Sequence, residues 1–425
     1  MKGVRMLKNI CIFEDEGFKN LLPLCYLRPV FELRCGISSL KEKITGFYPE
    51  AKLHLLCRDY LVDVTKRRSK EVSVNDLKTI EGSCLFINGR ILAGKDLSRR
   101  ISLDGAEEIA LSGEVLIYAR LAPKTINEVF KEDGHLRNAT IELLKKKVKV
   151  TKIKLDLISY PWHLINYNSE TIKDDYQSIG GGKVAGFLDK AATVYGDRSQ
   201  LFIGEGSRVE AGVVLNLTEG PIYIGKNVKV RPFTIIDGPS FVGDESIIDG
   251  AKLREGSSIG RVCRVGGEVE ESIIYAHSNK HHDGFLGHAY VGEWVNIGAM
   301  ATNSDLKNNY GKIKVYINNE LVNSGEIKLG CFIADHTKLG IGSLINTGTV
   351  IGVCSNIFGS GIPPKNIPSF VWGGASGFIE YDLERALEDS KTIMGRRKIE
   401  QSEEDRELLR KIFAQTKNDR ELLKK

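Results

Sequence analysis

The 425-residue sequence has no long apolar run, no paired-cysteine motif and only a small excess of charge. Because no run reaches membrane-spanning length and the N-terminus (MKGVRMLKNI) lacks the apolar core of a signal peptide, we expect a cytoplasmic protein without membrane contact. The eight cysteines are scattered without metal-ligand spacing, which predicts reduced, buried thiols. The formal net charge of +5 permits anionic small-molecule ligands but does not indicate a nucleic-acid binder.

The first part of the chain alternates short β-branched strands with helical segments. This alternation predicts an α/β domain with a largely parallel sheet, followed by a linker, over residues 1–185. Helices are expected at Gly36–Lys43 and Pro123–Phe130. The expected strands are Asn9–Phe13, Lys52–Cys57, Cys84–Asn88, Glu114–Tyr118 and Val148–Leu155.

From about residue 200 the apolar period becomes six. A period of six residues is neither that of a helix nor that of a simple strand. It fits a coil with three flat faces, in which each face contributes one inward aliphatic side chain. The pattern predicts a parallel β-helix of hexapeptide repeats over residues 186–377, a more regular arrangement than a set of ordinary hairpins. The aliphatics in register are Ile224, Val230, Ile236, Val242 and Ile248, then Val291 and Ile297, then Ile333, Leu339, Ile345 and Ile351.

The remaining residues, 378–425, are charged and amphipathic. Leu408, Leu409 and Ile412 form an apolar stripe among i, i+4 charge pairs, so we expect helices. The sequence leaves open whether these helices pack on the coil, pack on a neighbouring subunit or stay solvated.

Two polar segments interrupt the six-residue register, and they are the candidate chemistry of this part of the chain. The first is HSNKHHDGFLGHAY, residues 277–290, which holds four of the eight histidines; the second is residues 301–315. A regular coil has no pocket of its own, so we expect two loops that leave neighbouring turns and meet on one face.

These segments carry a family resemblance that covers about 170 residues. The order of elements resembles the C-terminal half of the bifunctional bacterial enzyme that acetylates glucosamine-1-phosphate and then uridylates it. Arg254 stands in an LREG context similar to the family's phosphate-binding arginine. His282 in HHDGFLG matches the family's catalytic histidine, and Phe285 takes the place of its sugar-contacting tyrosine.

The resemblance implies a left-handed β-helix, a homotrimer and acetyl-CoA as acyl donor. Where the family has a lysine for the sugar phosphate, this chain has Glu270 and Glu271, which leaves the identity of the acceptor open. The implied acceptor-binding residues are Arg254, Phe285, Asn296, Asn309, Tyr310 and Lys312. The implied CoA-binding residues are Ala334, Asp335 and Gly352.

The implied chemistry is acyl transfer with a histidine as general base. A neutral imidazole takes a proton from an amine or hydroxyl as it attacks the thioester carbonyl. His282 is the leading candidate, His281 and His277 are alternatives, and His288 would stack or orient. Histidines on a merely polar surface remain possible. Zinc is disfavoured, because the segment lacks cysteine and offers a single carboxylate.

The N-terminal part resembles a sugar-phosphate nucleotidyltransferase, and the whole chain resembles divergent members of that class fused to a β-helix. It keeps Pro23-Leu24 and Arg28-Pro29, but the loop after the first strand is EDEGFK, with one glycine where a phosphate cradle needs several. Mg²⁺ would then have to offset the acidic residues. The implied binders of nucleotide and sugar phosphate are Arg28, Arg34, Lys41, Asn88, Arg90 and Asn166.

The sequence as a whole predicts a transferase of sugar-nucleotide synthesis that acts on a sugar phosphate, a nucleoside triphosphate and an acyl-CoA. It joins a nucleotidyltransferase-like domain, whose activity the degraded loop leaves open, to an acyltransferase β-helix. One alternative is nucleotidyl transfer alone, with the β-helix as trimerisation scaffold. Another is a non-enzymatic trimer that binds sugar nucleotides.

Overall fold

The computed structural model describes residues 8–130, 136 and 138–421, and the chain divides into two compact units. The first unit ends at Ser159 and the second begins at Tyr160, except that residues 22–26 and 34–37 belong to the second. The domain boundaries predicted at residues 185 and 377 stay predictions. No helix among the described residues is long and apolar enough to cross a membrane.

The first unit is built on a seven-stranded mixed sheet. Its strand Asn9–Phe13 pairs in parallel with both Lys52–Leu56 and Cys84–Asn88, and all five of its residues are buried. A continuous apolar run of this kind is typical of a parallel strand covered on both faces. The remaining strands are Ser73–Val74, Glu108–Ser112, Val115–Leu121 and Lys149–Lys152. The predicted α/β class is confirmed.

Helices connect the strands of this unit. The helix predicted at Gly36–Lys43 begins at Leu40, because Ser39 caps it: the Ser39 hydroxyl accepts from the Glu42 N–H, and the Glu42 carboxylate accepts from the Ser39 N–H. The helices are Leu40–Gly46, Val62–Arg68, Leu97–Arg100, Pro123–Val129 and Asn138–Lys147.

The second unit is a parallel β-helix with three faces, as the six-residue period predicts. The first face runs through Phe187–Leu188, Arg208–Val209, Lys229–Val230, Ile247–Ile248, Arg264–Val265, Asn279–Lys280, Asn296–Ile297, Lys338–Leu339, Asn356–Ile357 and Val371–Gly374. The second face runs through Thr193–Tyr195, Val214–Asn216, Ile235–Asp237, Lys252–Leu253, Glu268–Glu270 and Phe285–Gly287. The third face runs through Leu201–Ile203, Ile222–Ile224, Ser240–Val242, Ser257–Ile259, Ile273–Ala276, Tyr290–Glu293, Cys331–Ile333, Thr349–Ile351 and Asn366–Ile367.

The core of the coil is a set of aliphatic columns that the strand register stacks one above the other. Burying each branched side chain contributes roughly 1.5–3 kcal/mol, so the columns stabilise the coil at every turn. One buried column on the third face consists of Ile203, Ile224, Val242, Ile259, Ile274, Val291, Ile333, Ile351 and Ile367.

The histidine-rich segment 277–290 is a turn of the coil, and the expectation of a loop leaving it was wrong. Its strands Asn279–Lys280 and Phe285–Gly287 pair in register with the preceding turn. The period is hidden because Lys280, in register with Val265, occupies an inward position and is only 2% exposed. Its ammonium is satisfied by the carbonyl oxygens of Gly266 (3.0 Å) and His282 (2.6 Å).

The second interruption does leave the coil. After the short strand Thr302–Asn303 the chain departs and forms an antiparallel hairpin, Lys314–Ile317 with Glu320–Asn323. It rejoins the third face at Cys331–Ile333.

In the second unit, helices precede and follow the coil along the chain. Pro161–Asn166 and Asn168–Ser178 precede it, and Leu383–Gly395, Glu403–Gln415 and Lys417–Glu421 follow it. The predicted apolar stripe is buried, with Leu409 and Ile412 at most 2% exposed, and the Phe413 ring lies 5.1 Å from that of Phe370. The C-terminal helices therefore pack on the coil and are not a solvated tail.

Candidate acyl-transfer cleft

A cleft of about 750 Å³ lies along the first face of the coil, against the end of helix Leu383–Gly395. We call it the tail cleft. It is lined by three of the four histidines of segment 277–290, by Asn296 and by Trp294. The structure thus brings the predicted base and one predicted acceptor-binding residue to the same depression.

His282 stands at the corner between strands Asn279–Lys280 and Phe285–Gly287, with its side chain exposed. Its backbone is held by the Lys280 ammonium. Among the described residues, its imidazole has no hydrogen-bond partner and meets only the edge of the His281 ring, 5.2 Å away between centroids. An imidazole in this state can accept a proton from a ligand in the cleft.

His281 is the second histidine available for base chemistry. Burial lowers its pKa, and the nearby Asp249 carboxylate, 3.6 Å from Nε2, offsets this only in part. Its buried Nδ1 has no hydrogen-bond partner among the described residues. A neutral imidazole with an unengaged nitrogen stays a candidate alongside His282.

The other two histidines are engaged elsewhere. His277 stacks on Trp294 at 4.3 Å between ring centroids, and its Nδ1 lies 2.9 Å from a Glu293 carboxylate oxygen. His288 lies at a different corner, outside the lining of the tail cleft, with Nδ1 2.8 Å from Asp305 and Nε2 3.3 Å from Glu271. Neither has an imidazole nitrogen as open to a ligand as that of His282.

The predicted acceptor-binding residues are not all brought together. Asn296 is exposed in the tail cleft, where its side-chain oxygen accepts from the Asn279 amide (3.2 Å). Arg254 lies outside the lining and pairs with Glu268 at 3.1 Å, and Phe285 lies on the second face opposite Glu268. Acceptor binding by Arg254 would have to compete with that carboxylate.

Three further acceptor-binding candidates lie on the excursion that leaves the coil. Asn309, Tyr310 and Lys312 are exposed, Tyr310 to 69%, and none lines the tail cleft. Their predicted contact with an acceptor stays a prediction.

The predicted CoA-binding side chains are buried. Ala334 and Asp335 are fully buried, and the Asp335 carboxylate accepts from the Glu293 N–H at 2.5 Å. Gly352 is also buried, and a Cβ there would meet the Ser369 backbone nitrogen at 2.3 Å. These positions hold adjacent turns together, so a CoA laid along them would meet their backbone, and CoA binding at Ala334, Asp335 and Gly352 stays a prediction.

In the first unit, two predicted phosphate binders form an internal ion-pair network. The Arg90 guanidinium donates to both carboxylate oxygens of Asp15, each at 2.6 Å, and the buried Asn88 amide donates to Asp15 at 2.9 Å. The neighbouring Glu14 pairs in the same way with Arg58. The two carboxylates of the acidic loop therefore each pair with an arginine from another part of the chain. The sequence does not predict the pair with Arg58, because this arginine is distant from the loop in the chain.

The other N-terminal candidates are scattered. Arg28 is 1% exposed and Lys41 pairs with Glu32 at 2.5 Å, both within the first unit. Arg34 and Asn166 belong to the second unit, where Arg34 lies over the Phe241 ring and the Asn166 amide donates to Glu326 at 2.8 Å. Arg34 and Asn166 thus belong to a different unit from Arg28, Lys41, Asn88 and Arg90, and their part in nucleotide binding stays a prediction.

A metal fits neither predicted site as the described residues stand. Both carboxylate oxygens of Asp15 are taken by Arg90 and Asn88, which leaves no pre-formed Mg²⁺ ligand there. The one group of three candidate ligands in the described ranges is Glu270, Glu271 and His288, outside the tail cleft. In it, His288 pairs with Glu271, and Lys328 lies 3.2 Å from Glu270.

The structure defines a class by its architecture: an α/β domain built on a mixed sheet, joined to a three-faced parallel β-helix. Residues 10–184 match the family described as sugar nucleotidyl transferase. The resemblance stated from the sequence is thereby confirmed for the N-terminal part.

Two relatives of the chain are named as bifunctional proteins. The chain is 27% identical over 213 residues to the bifunctional sugar-1-phosphate nucleotidylyltransferase/acetyltransferase of Sulfurisphaera tokodaii, covering 49% of this chain and 46% of that protein. It is 32% identical over 158 residues to the bifunctional protein GlmU of Acidithiobacillus ferrooxidans, covering 35% and 34%. The matches thus span less than half of either relative.

A solved structure, the UDP-N-acetylglucosamine acyltransferase of Francisella novicida, aligns with 57% of this chain and 88% of its own. The sequence identity is 14% and the TM-score 0.28. The β-helix assignment rests on the strand pairing of the chain itself.

Proposed function

We propose that the chain is an acyltransferase of sugar-nucleotide synthesis, which uses an acyl-CoA to acylate a sugar phosphate in the tail cleft. The observation that carries this proposal is the cleft itself, where His282 exposes an imidazole without a hydrogen-bond partner in the described part of the chain. The similarity to bifunctional nucleotidylyltransferase/acetyltransferases supports the choice of acyl transfer.

In the proposed reaction, His282 acts as general base. Its imidazole takes the proton from the acceptor amine or hydroxyl while that group attacks the thioester carbonyl. The new C–N or C–O bond forms as the C–S bond breaks, and the imidazolium returns the proton to the leaving thiolate. Asn296, one turn further along the first face, orients the acceptor. We propose a homotrimer, as the resemblance implies.

The family match over residues 10–184 favours a second candidate function for the first unit, nucleotidyl transfer to a sugar-1-phosphate. Against pre-formed activity, Arg90 and Arg58 are paired with Asp15 and Glu14. A triphosphate would have to displace these pairs, and Mg²⁺ would have to enter with it. If it cannot, the unit binds sugar nucleotides without turning them over.

The acyl-transfer proposal is tested by thiol release from acetyl-CoA with a panel of amino-sugar phosphates. A thiol reagent is suitable because all eight cysteines are buried. We expect His282→Ala to lose most of the activity, whereas His163→Ala, on a helix outside the cleft, keeps it. General-base catalysis typically contributes about 10²–10⁴-fold, which sets the expected loss. Equal release by wild type and His282→Ala would show that the base is misassigned.

The nucleotidyl-transfer candidate is tested separately by pyrophosphate release. The substrates are UTP, dTTP or CTP with Mg²⁺ and a set of sugar-1-phosphates. Release with one pair supports nucleotidyl transfer; no release with any pair supports a binding unit.

A further inference from the structure

The tail cleft is strongly cationic. Four arginines and one lysine line it, and no Asp or Glu does so in the described ranges: Arg231, Arg264, Arg396, Arg397 and Lys338. Carboxylates outside the lining neutralise part of this charge: Arg231 pairs with Asp249 at 2.7 Å, and Lys338 lies 3.9 Å from Asp389.

Arg264 and Arg397 have no such carboxylate partner in the described residues. Arg264 uses Nη1 to donate to the backbone carbonyls of Cys263 (2.9 Å) and Glu245 (3.1 Å). Arg397 donates through Nη2 to the side-chain oxygen of Asn279 at 2.7 Å, while its buried Nε finds no acceptor. An N–H buried without an acceptor is costly and calls for a ligand that completes it.

The two side chains also lie near each other, because Arg397 donates to Asn279, the residue that pairs with Arg264 on the neighbouring turn. Burial lowers the pKa of Arg264, and the charge of Arg397 lowers it further. Two half-buried cations that repel each other destabilise the empty cleft, and an anion between them removes that cost. Guanidinium groups bind phosphate oxygens through paired N–H donors, which suits this arrangement.

The strand register places this pair beside the proposed reaction centre. Arg264, Asn279 and Asn296 follow one another along the outer side of the first face, each one turn above the last. His281 and His282 follow Asn279 by two and three residues. A ligand with a phosphate on the arginines can therefore reach the histidines along the same face.

We infer that Arg264 and Arg397 form an anion-binding subsite for a phosphate group of the ligand. The inference rests on the proposed function for the identity of that ligand. The phosphate belongs either to the nucleotide end of the acyl-CoA or to the sugar acceptor. If the phosphate is that of the acceptor, Arg264 and Arg397 take the role that the resemblance assigned to Arg254, which pairs with Glu268.

The test is calorimetric titration of the full chain with two probes. Adenosine 3′,5′-bisphosphate stands for the nucleotide end of CoA, and glucosamine 1-phosphate stands for the acceptor. We expect one of them to bind, and Arg264→Gln and Arg397→Gln each to weaken binding by about tenfold or more. Lys391→Gln is the matched control, because it removes one charge from an exposed position of helix Leu383–Gly395, which ends just before Arg397, and lies outside the cleft.

The probe that binds identifies the source of the phosphate. No binding of either probe to the wild type at millimolar concentration overturns the inference, as does binding that Arg264→Gln leaves unchanged. Arg397→Gln could weaken binding by disturbing the packing of the C-terminal helices. Arg264 lies on a strand of the coil, so binding by Arg264→Gln tests the inference independently of that packing. A chain that binds a probe through these arginines but releases no thiol keeps the subsite and refutes the acyl-transfer proposal.

Discussion

Replacing His288 with glutamine tests the polar network at the corner of the coil. Burial alone would lower the pKa of His288, but hydrogen bonds to Asp305 and Glu271 outweigh it and raise the pKa to about 9. The same contacts lower the pKa of Glu271. His288 is therefore an imidazolium between two carboxylates at neutral pH.

The difference between a folded pKa of about 9 and the ordinary 6.5 corresponds to at most about 3 kcal/mol. Because the folded pKa is the higher one, this stabilisation is fully present below pH 6.5. It is lost as the pH rises from 6.5 through about 9. His288→Gln should therefore cost most at about pH 6, and its cost should fall by about 2–3 kcal/mol at about pH 9.5.

Urea unfolding followed by tryptophan fluorescence isolates this effect. All three tryptophans, Trp162, Trp294 and Trp372, lie in the second unit, so their emission reports on the unit that holds His288. Protein concentration is held fixed, since assembly shifts apparent stability. His282→Gln, an exposed histidine on the same turn, is the control and should change the free energy of unfolding little. A cost of His288→Gln that is equal at both pH values refutes the charged network.

Three further perturbations follow from buried charge. Burial lowers the pKa of Lys280 to about 8, so wild-type stability should rise between pH 8 and 10.5, and Lys280→Met should remove that rise in the same urea assay. Burial lowers the pKa of His54 to about 4, so the free energy of unfolding of the first unit should fall as the pH falls from 6.5. In His54→Gln this fall should be smaller, and unfolding followed by circular dichroism measures the difference. Arg90→Gln should cost about 3–5 kcal/mol, and adding Asp15→Asn should recover part of it; additive costs would show that the pair is uncoupled.

The sequence predicts the coil well because one physical rule repeats along it. Each face needs one inward aliphatic, and the strand register stacks them as the period of six requires. The rule fails at Lys280, where an amine occupies an inward position and is satisfied by backbone carbonyls. No local pattern distinguishes such a lysine from an exposed one, so the sequence predicts a loop where the structure has a turn of the coil.

The candidate site is less predictable, because long-range partners decide it. His282 could be selected by its motif, but the cleft around it is completed by Arg397, more than a hundred residues later. The Asp15 carboxylate is likewise closed off by Arg90 across 75 residues. One signal in the sequence is a cation directly before an inward aliphatic of the first face, as in Arg264 before Val265 and Lys338 before Leu339.

The charges of the second face bear on where an acceptor's phosphate can bind. The sequence shows Glu270 where the resembling family has a cation, and the structure places Lys328 of the excursion 3.2 Å from it. Lys328 restores a positive charge near Glu270 but forms an ion pair with its carboxylate, just as Arg254 forms an ion pair with Glu268. A phosphate on this face would have to break an ion pair to gain a contact. In the tail cleft, Arg264 and Arg397 have no carboxylate to release within the described residues, so binding there costs less desolvation and no broken pair.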